Sequence, residues 1–520
     1  SMSFTTVGSL LLANLRDNPD KEALVFRDQR LTYRQLGEKV DRLAEAFTRL
    51  GIKKGDKVAV DLPNWPEFVF CYFAITRIGA VMVMVNTRYR SSEVRHILRD
   101  SDSIAVVVPV EFDSFRYLPM MRELRPELPL LRHVIAVGEC SDSDDALRFD
   151  RLLEDSSGNP VVEAQIDPVE DLALIMYTSG TTGTPKGAMI THFNLVKNSE
   201  VNSVPYEFTP DDVFLVLVPA SHIIGLFCLT SVFLSHAKVI LVDVFKAEPV
   251  LQIIERERVT VQHAVPTIFT LELANAAKYD ISSLRTGMMA GASCPPELLR
   301  RLIGLGFQVH VGFGMTETAG GLMNTTFSDD LEARTQTVGK PVEGVEVKFV
   351  DDNRRELPPG QPGEMAIRSY GRMKGYYKNP QATEAAIDAE GWFYTGDLGY
   401  LDERGYVRIV GRKKEMIIRG GFNIYPAEVE GLLYTHPKVL EVAIVGVPDS
   451  VLGEKSCACI RPRDGAELTE EEVKEFCRGK LADFKVPDYV RFMESFPLTP
   501  TGKIYKVGLR EEILKAINLS

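Results

Sequence analysis

The chain has 520 residues and a formal net charge of −12, from 60 Lys and Arg against 72 Asp and Glu. That length suggests several packed units, and 45% hydrophobic with 25% charged residues is the composition of a folded globular protein. The acidic balance speaks against binding nucleic acid through clustered cations, and seven cysteines are too few, and odd in number, for a disulfide framework.

No basic segment precedes Leu10–Leu12, so no signal peptide is expected, and Ser1 ahead of Met2 reads as an added residue. Lys57–Asp61 is a strand candidate, Trp65–Ile78 is helical in pattern and Ala80–Val85 is a strand. The apolar run Phe68–Val85 contains Arg77 and Gly79. It reads as a buried helix and strand, not as a membrane span of about 20 residues. Ser91 or Ser92 can cap a helix to about residue 98, with Glu93 in its first turn. Ile104–Val108, Ala173–Met176, Val213–Val218, Val239–Val242 and Val259–Val265 continue the alternation. It predicts two doubly wound, mostly parallel α/β sheets.

After Gly339 the pattern changes. Val345–Val350, Gly363–Ile367 and Tyr406–Val410 are short strands between Gly and Pro turns, with no helix evident, and predict a small β-barrel or sheet. From Arg412 the pattern is α+β, with a Gly-Gly turn at 420–421, a helix from Ala427, a strand at Val442–Val445 and a helix from Thr469. Cys457 and Cys459 read as two small residues on one face of a strand. The expected fold is α/β: a large N-terminal domain, residues 1–411, of two α/β sheets plus a small β-barrel. A small α+β C-terminal domain, residues 412–520, follows it.

Tyr177–Gly187 (YTSGTTGTPKG) is the most informative segment. Glycines, hydroxyls and one lysine after a strand suit a phosphate chain. It is not a Walker A loop, because Pro185 precedes Lys186 and Gly187 follows it. The segment resembles the signature loop of the adenylate-forming superfamily, which includes acyl- and aryl-CoA ligases. Further motifs of that family follow in order to about residue 510. The resemblance implies ATP binding by Thr178, Ser179, Gly180, Thr181, Thr182, Gly183 and Lys186, and an adenine-side turn at Gly291, Ala292 and Ser293. It implies an aromatic stack in Gly312-Phe313-Gly314-Met315, where the family usually has Tyr at Phe313. It gives Thr316 the α-phosphate, Glu317 with Thr178 the Mg²⁺, and Asp397 with Arg412 the ribose.

The resemblance also makes Lys503 the catalytic lysine, with Lys506 where the family often has Arg. Lys414 stands at the hinge about which the C-terminal domain turns as a mobile lid, and Gly420, Gly421 and Phe422 stand in the segment that receives coenzyme A. His222 resembles the gate residue of CoA ligases, beside Ser221 where an aromatic is common. The acid pocket is expected among His222, Ile223, Ile224, Gly225, Leu226, Phe227, Met288, Met289 and Gly312. No acid lies between Pro219 and Ser235 to pair an amino group, which argues against amino acids. The expectation is a cytoplasmic acid–thiol ligase acting on an apolar carboxylate, with ATP, Mg²⁺ and coenzyme A. No integral membrane association is expected, and a homodimer is compatible with the sequence. A carrier-protein-loading enzyme, a luciferase-type oxygenase and a non-catalytic nucleotide-binding protein are the rival readings.

Overall fold

The computed structural model describes residues 6–141, 144–156, 161, 164–178, 184–289, 295–478, 480–499 and 503–518. Local sequence signals start its helices. Thr32 Oγ1 accepts the Gln35 N–H at 3.2 Å and Gln35 Oε1 accepts the Thr32 N–H at 2.9 Å. This reciprocal cap is worth about 1 kcal/mol. It opens helix Tyr33–Arg49, which buries Leu36, Val40, Leu43 and Phe47 along one stripe. Helix Pro66–Arg77 starts on a proline and is buried on nearly every side, so its sequence shows no polar stripe. The strand Val81–Met84 follows it. Among the described residues no helix is long and apolar enough to cross a membrane. Helix Ser91–Asp100 begins one residue earlier than a Ser91 or Ser92 cap requires, because Arg90 is the cap and its N–H is accepted by Glu93 at 3.1 Å.

Two large sheets form. One has eight strands in the order Gly375–Tyr376, Gly187–Thr191, Leu172–Tyr177, Val81–Met84, Lys57–Val60, Ala105–Pro109, His133–Val137, Leu147–Arg148. It is parallel from Leu172–Tyr177 onward. The other has nine strands, with Gly320–Asn324, Gln308–Met315, Thr286–Met289, Val261–Gln262, Val213–Val216 and Lys238–Leu241 in its centre. The interior core lies between these sheets and includes Tyr72, Phe73, Phe214, Leu226 and Phe233. A second apolar layer, with Leu251, Phe269, Leu299 and Val309, covers the outer face of the nine-stranded sheet. The expected strand Val259–Val265 shortens to Val261–Gln262, because Pro266 opens a helix.

The third β unit, where a small β-barrel or sheet was expected, is an antiparallel sheet, Glu346–Val350, Gly363–Arg368, Phe393–Leu401, Val407–Arg412. Its outer edge at Val407 is paired with residues from the nine-stranded sheet's side: Val338 donates to Val407 O at 3.0 Å, and Val407 to Gly339 O at 2.9 Å. The segment also holds an unexpected short helix, Pro380–Ala386, capped by Asn379. After residue 412 a further sheet carries Ile417–Arg419, Phe422–Ile424, Val439–Asp449, Gly453–Pro462 and Tyr489–Phe492. Helices Pro426–Leu433 and Glu470–Cys477 cover one face, and helix Lys506–Asn518 covers the other. Cys457 and Cys459 share a buried face there, sulfur to sulfur 4.0 Å.

Candidate active site

The signature loop is the connection of a β-hairpin. Tyr177 pairs with Gly187, Thr178 N–H donates to Lys186 O at 2.9 Å, and Lys186 N–H donates to Thr178 Oγ1 at 3.3 Å. Ser179, Gly180, Thr181, Thr182 and Gly183 lie outside the described residues, as do Gly291, Ala292 and Ser293. Helix Ser91–Asp100 braces the hairpin: His96 Nε2 is 2.7 Å from Pro185 O, and Tyr177 donates to Asp100 Oδ2 at 2.6 Å. The sequence reading assigned nothing to either residue.

Glu317 sits in a tight turn, Thr316–Thr318, between strands Gln308–Met315 and Gly320–Asn324. Gly314 is required there, since a Cβ on it would lie 2.2 Å from Gly320 O. Burial raises the Glu317 carboxyl, against the opposing pull of its own backbone, Tyr376 and the Lys186 charge. The Tyr376 hydroxyl donates to Glu317 Oε2 at 3.1 Å, and Lys186 Nζ lies 5.2 Å from the Tyr376 ring centre. Tyr376 therefore joins the two groups assigned to the phosphates, and no sequence motif had marked it. Among the described residues no cluster of three His, Cys, Asp or Glu could hold a metal unaided. A single half-buried carboxylate beside a phosphate loop fits Mg²⁺, which takes one or two carboxylates and completes its shell from phosphate and water oxygens.

Asp397 and Arg412 are cross-strand partners, Arg412 Nε to Asp397 Oδ1 being 3.9 Å. Burial lifts the Asp397 carboxyl to about 6, although Arg412 lowers it. Lys414 follows in the turn after Val407–Arg412. Burial, and then the Arg412 charge, hold its ammonium below the ordinary range. The Lys503 loop is closed by Thr499 and Lys503: Lys503 N–H donates to Thr499 Oγ1 at 3.1 Å, and Thr499 N–H to Lys503 O at 2.6 Å. The Lys503 ammonium is lowered by desolvation and by Arg412, with Asp397 acting the other way.

His222 caps helix Ile223–Leu234, its Nδ1 accepting the Ile224 N–H at 3.2 Å. The neutral ring therefore carries its proton on Nε2. Burial, and then the Lys503 charge, push it down to about 4. Gly225 lets this helix start against the preceding turn, since a Cβ there would be 2.0 Å from Pro219 O. Ile223, Leu226, Phe227 and Met288 belong to the interior core, with Ile224 packed against it. Gly312 faces the same layer: its Cβ would lie 2.6 Å from Met288 Sδ. Met289 is a correction to the expected pocket. It packs in the outer apolar layer, because successive residues of a strand point to opposite faces.

Gly420 and Gly421 have φ of 56° and 83° and connect the paired strands Ile417–Arg419 and Phe422–Ile424. Two positive φ values in a two-residue hairpin demand glycines on backbone grounds alone. Phe422 is 59% exposed and stacks on Phe484, ring centres 4.8 Å apart. Lys506 Nζ is 2.9 Å from Glu430 and 3.7 Å from Glu415.

Residues 11–377 match the family model described as AMP-binding enzyme, and residues 428–503 match the AMP-binding enzyme C-terminal domain. The mitochondrial medium-chain acyl-CoA ligase ACSF2 of Homo sapiens is 36% identical, over 99% of this chain and 88% of its own length. Among solved structures, the anthranilate CoA ligase AuaEII in complex with anthranoyl-AMP aligns with a TM-score of 0.89 at 28% identity, covering 98% of each chain. ATP-bound MatB from Rhodopseudomonas palustris aligns with a TM-score of 0.87 at 30% identity, covering 98% of this chain and 99% of its own.

Proposed function

The chain belongs to the AMP-binding enzyme family, and from that premise we propose that it is an AMP-forming acid–thiol ligase for an uncharged, largely apolar carboxylate. The carboxylate is a medium-chain fatty, alicyclic or aryl acid, and coenzyme A is the acceptor. The carrying observation is electrostatic. The charge of Lys503 bears on His222, which caps the helix carrying the core residues Ile223 and Leu226, and on Asp397 beside Arg412. The same cation thus acts on a group assigned to the acid and on one assigned to the ribose.

The chemistry follows from those charges. A carboxylate oxygen attacks the α-phosphorus of ATP, the bond to the β-phosphate oxygen breaks, and pyrophosphate leaves. Two anions must meet. Lys186 near Glu317, and Lys503 near His222, place positive charge where that repulsion is greatest. Mg²⁺, held by Glu317 with Thr178, supplies further charge neutralisation on the phosphates when bound. His222, neutral and protonated on Nε2, donates toward the acyl carboxyl without adding charge. In the second step the thiol sulfur of coenzyme A attacks the acyl carbon, AMP leaves, and the thiol proton passes to solvent. Our reading assigns the first step to the arrangement described, and the second to rotation of residues 412–520 about Lys414. That rotation withdraws Lys503 and brings Gly420, Gly421 and Phe422 to the cleft. We place the enzyme in the cytoplasm, on the small number of its cysteines and on their being unpaired among the described residues.

Pyrophosphate release over a panel of carboxylates, with and without coenzyme A, tests the reading. Release with apolar acids, faster with coenzyme A and yielding the thioester, is expected. Release unaffected by coenzyme A favours the carrier-protein alternative, and the absence of release with every acid removes the ligase reading.

A further inference from the structure

His310 stands in register with Met288 across neighbouring parallel strands, and His263 reaches Met288 from the other side, its Nδ1 accepting the Met288 N–H at 2.9 Å. Both histidines are fully enclosed, at 1% and 0% exposure. Both look into the layer that holds Phe227. The His263 ring lies 5.7 Å from Tyr206 and 6.3 Å from Phe227, and the His310 ring lies 5.4 Å from Tyr206. With Nδ1 of His263 an acceptor, its Nε2 carries the proton, and that nitrogen has no partner among the described residues. Neither ring nitrogen of His310 has one among those residues either. Two buried imidazoles, each with an N–H that no described residue accepts, thus flank one tyrosine ring, and buried donors are nearly always paired.

The row leads back to the acid site. Tyr206 donates to Asn324 Oδ1 at 3.3 Å, and a Cβ on Gly312 would lie 3.2 Å from that same oxygen. Gly312 and His310 are two residues apart on one strand and share its face, so His310 lies about 7 Å further along that strand than the glycine. Resting on the ligase reading, we propose that the acid taken by this pocket is of medium length and bears an uncharged oxygen, hydroxyl or carbonyl, at its far end, held by His263 Nε2 and His310. A hydroxyl suits the pair best: it accepts from His263 and donates to the free nitrogen of His310. Burial pushes both imidazoles to about 3, so they are neutral near pH 7 and offer no counter-charge to a second carboxylate.

The test is pyrophosphate release by the full chain with hexanoate and octanoate, their ω-hydroxy and ω−1 keto counterparts, and dicarboxylates of the same lengths. The native enzyme should favour the hydroxy or keto acid over the plain acid by about tenfold or more in kcat/KM, the scale on which a site built to hydrogen-bond rejects the analogue that cannot. His263→Phe and His310→Phe should each bring that ratio to one or below while turning over plain acids. His263→Gln and His310→Gln, which keep an N–H, should retain part of the preference, and they carry the test if a Phe variant fails to melt cooperatively. A native preference for plain acids or for dicarboxylates overturns the assignment, as does a ratio unchanged in folded variants. These results leave the ligase reading standing, whereas no release with any acid removes both.

Discussion

The hydroxyl of Tyr376 donates to Glu317 Oε2 across 3.1 Å, while its ring lies 5.2 Å from Lys186 Nζ. One side chain from a two-residue edge strand thus ties the carboxylate assigned to the metal to the lysine assigned to the phosphates. Tyr376→Phe keeps the ring and loses the bond. A hydrogen bond to a charged group is worth about 1.5 kcal/mol, or roughly tenfold. We expect kcat/KM for MgATP to fall about that far with the melting temperature unchanged. An unchanged kcat/KM would contradict the role.

Lys503→Ala separates the half-reactions. Acyl-AMP formation, followed by pyrophosphate release, should fall by a thousandfold or more, on the order of the loss of a principal charge-stabilising group. Thioester formation from supplied acyl-AMP and coenzyme A should remain within a few-fold of native. Equal loss of both would refute the proposed division of labour between two arrangements of residues 412–520.

Lys506 locks the loop that carries Lys503. It bridges Glu430 and Glu415, and Glu430 Oε2 also accepts the Ile444 N–H at 2.9 Å. Although burial works against it, the two carboxylates hold the Lys506 ammonium above its ordinary value. Lys506→Met should destabilise the fold by about 2 kcal/mol, because it leaves Glu430 buried without its cation. Lys506→Arg should cost little, and Glu430→Gln added to Lys506→Met should recover part of the loss. Denaturant midpoints decide it; a Lys506→Met midpoint equal to native would contradict the bridge.

The buried histidines set an acid limit on stability. His263 and His310 are held at about 3, against 6.5 for a free imidazole. Between those values the unfolded chain binds more protons than the folded one, so stability is full above about pH 6.5 and is lost as pH falls toward 3. At pH 5 each should cost about 2 kcal/mol relative to neutral pH. Melts between pH 7.5 and 5 should show the decline, and His310→Phe should flatten it. An identical slope in the variant would show that His310 does not titrate on unfolding.

The sequence made some of this plain for reasons that are local. The pairing of Thr178 with Lys186 around a glycine-rich loop, and the Gly420–Gly421 turn with its two positive φ values, are written in residues that few other structures tolerate. Met288 and Met289 were not separable, because the strand Thr286–Met289 is buried on both faces and the alternation that reveals a face disappears. Only its register with Gly312's strand assigns Met288 inward. Tyr376 and His96 act through long-range contacts that no spacing encodes. The choice between barrel and sheet after Gly339 was open for a similar reason: what covers the Val407 edge comes from residues 338–339, in another sheet's neighbourhood. The helix Pro380–Ala386 hides in a run too short for helical periodicity to register.

The central claim is that the acid's own oxygen attacks the α-phosphorus of ATP, and isotope transfer tests it most directly. With a turned-over acid carrying ¹⁸O in both carboxyl oxygens, and coenzyme A present, one ¹⁸O per turnover should appear in the phosphate of AMP and none in pyrophosphate. ¹⁸O in pyrophosphate, formation of ADP with labelled orthophosphate, or AMP free of label would contradict the account.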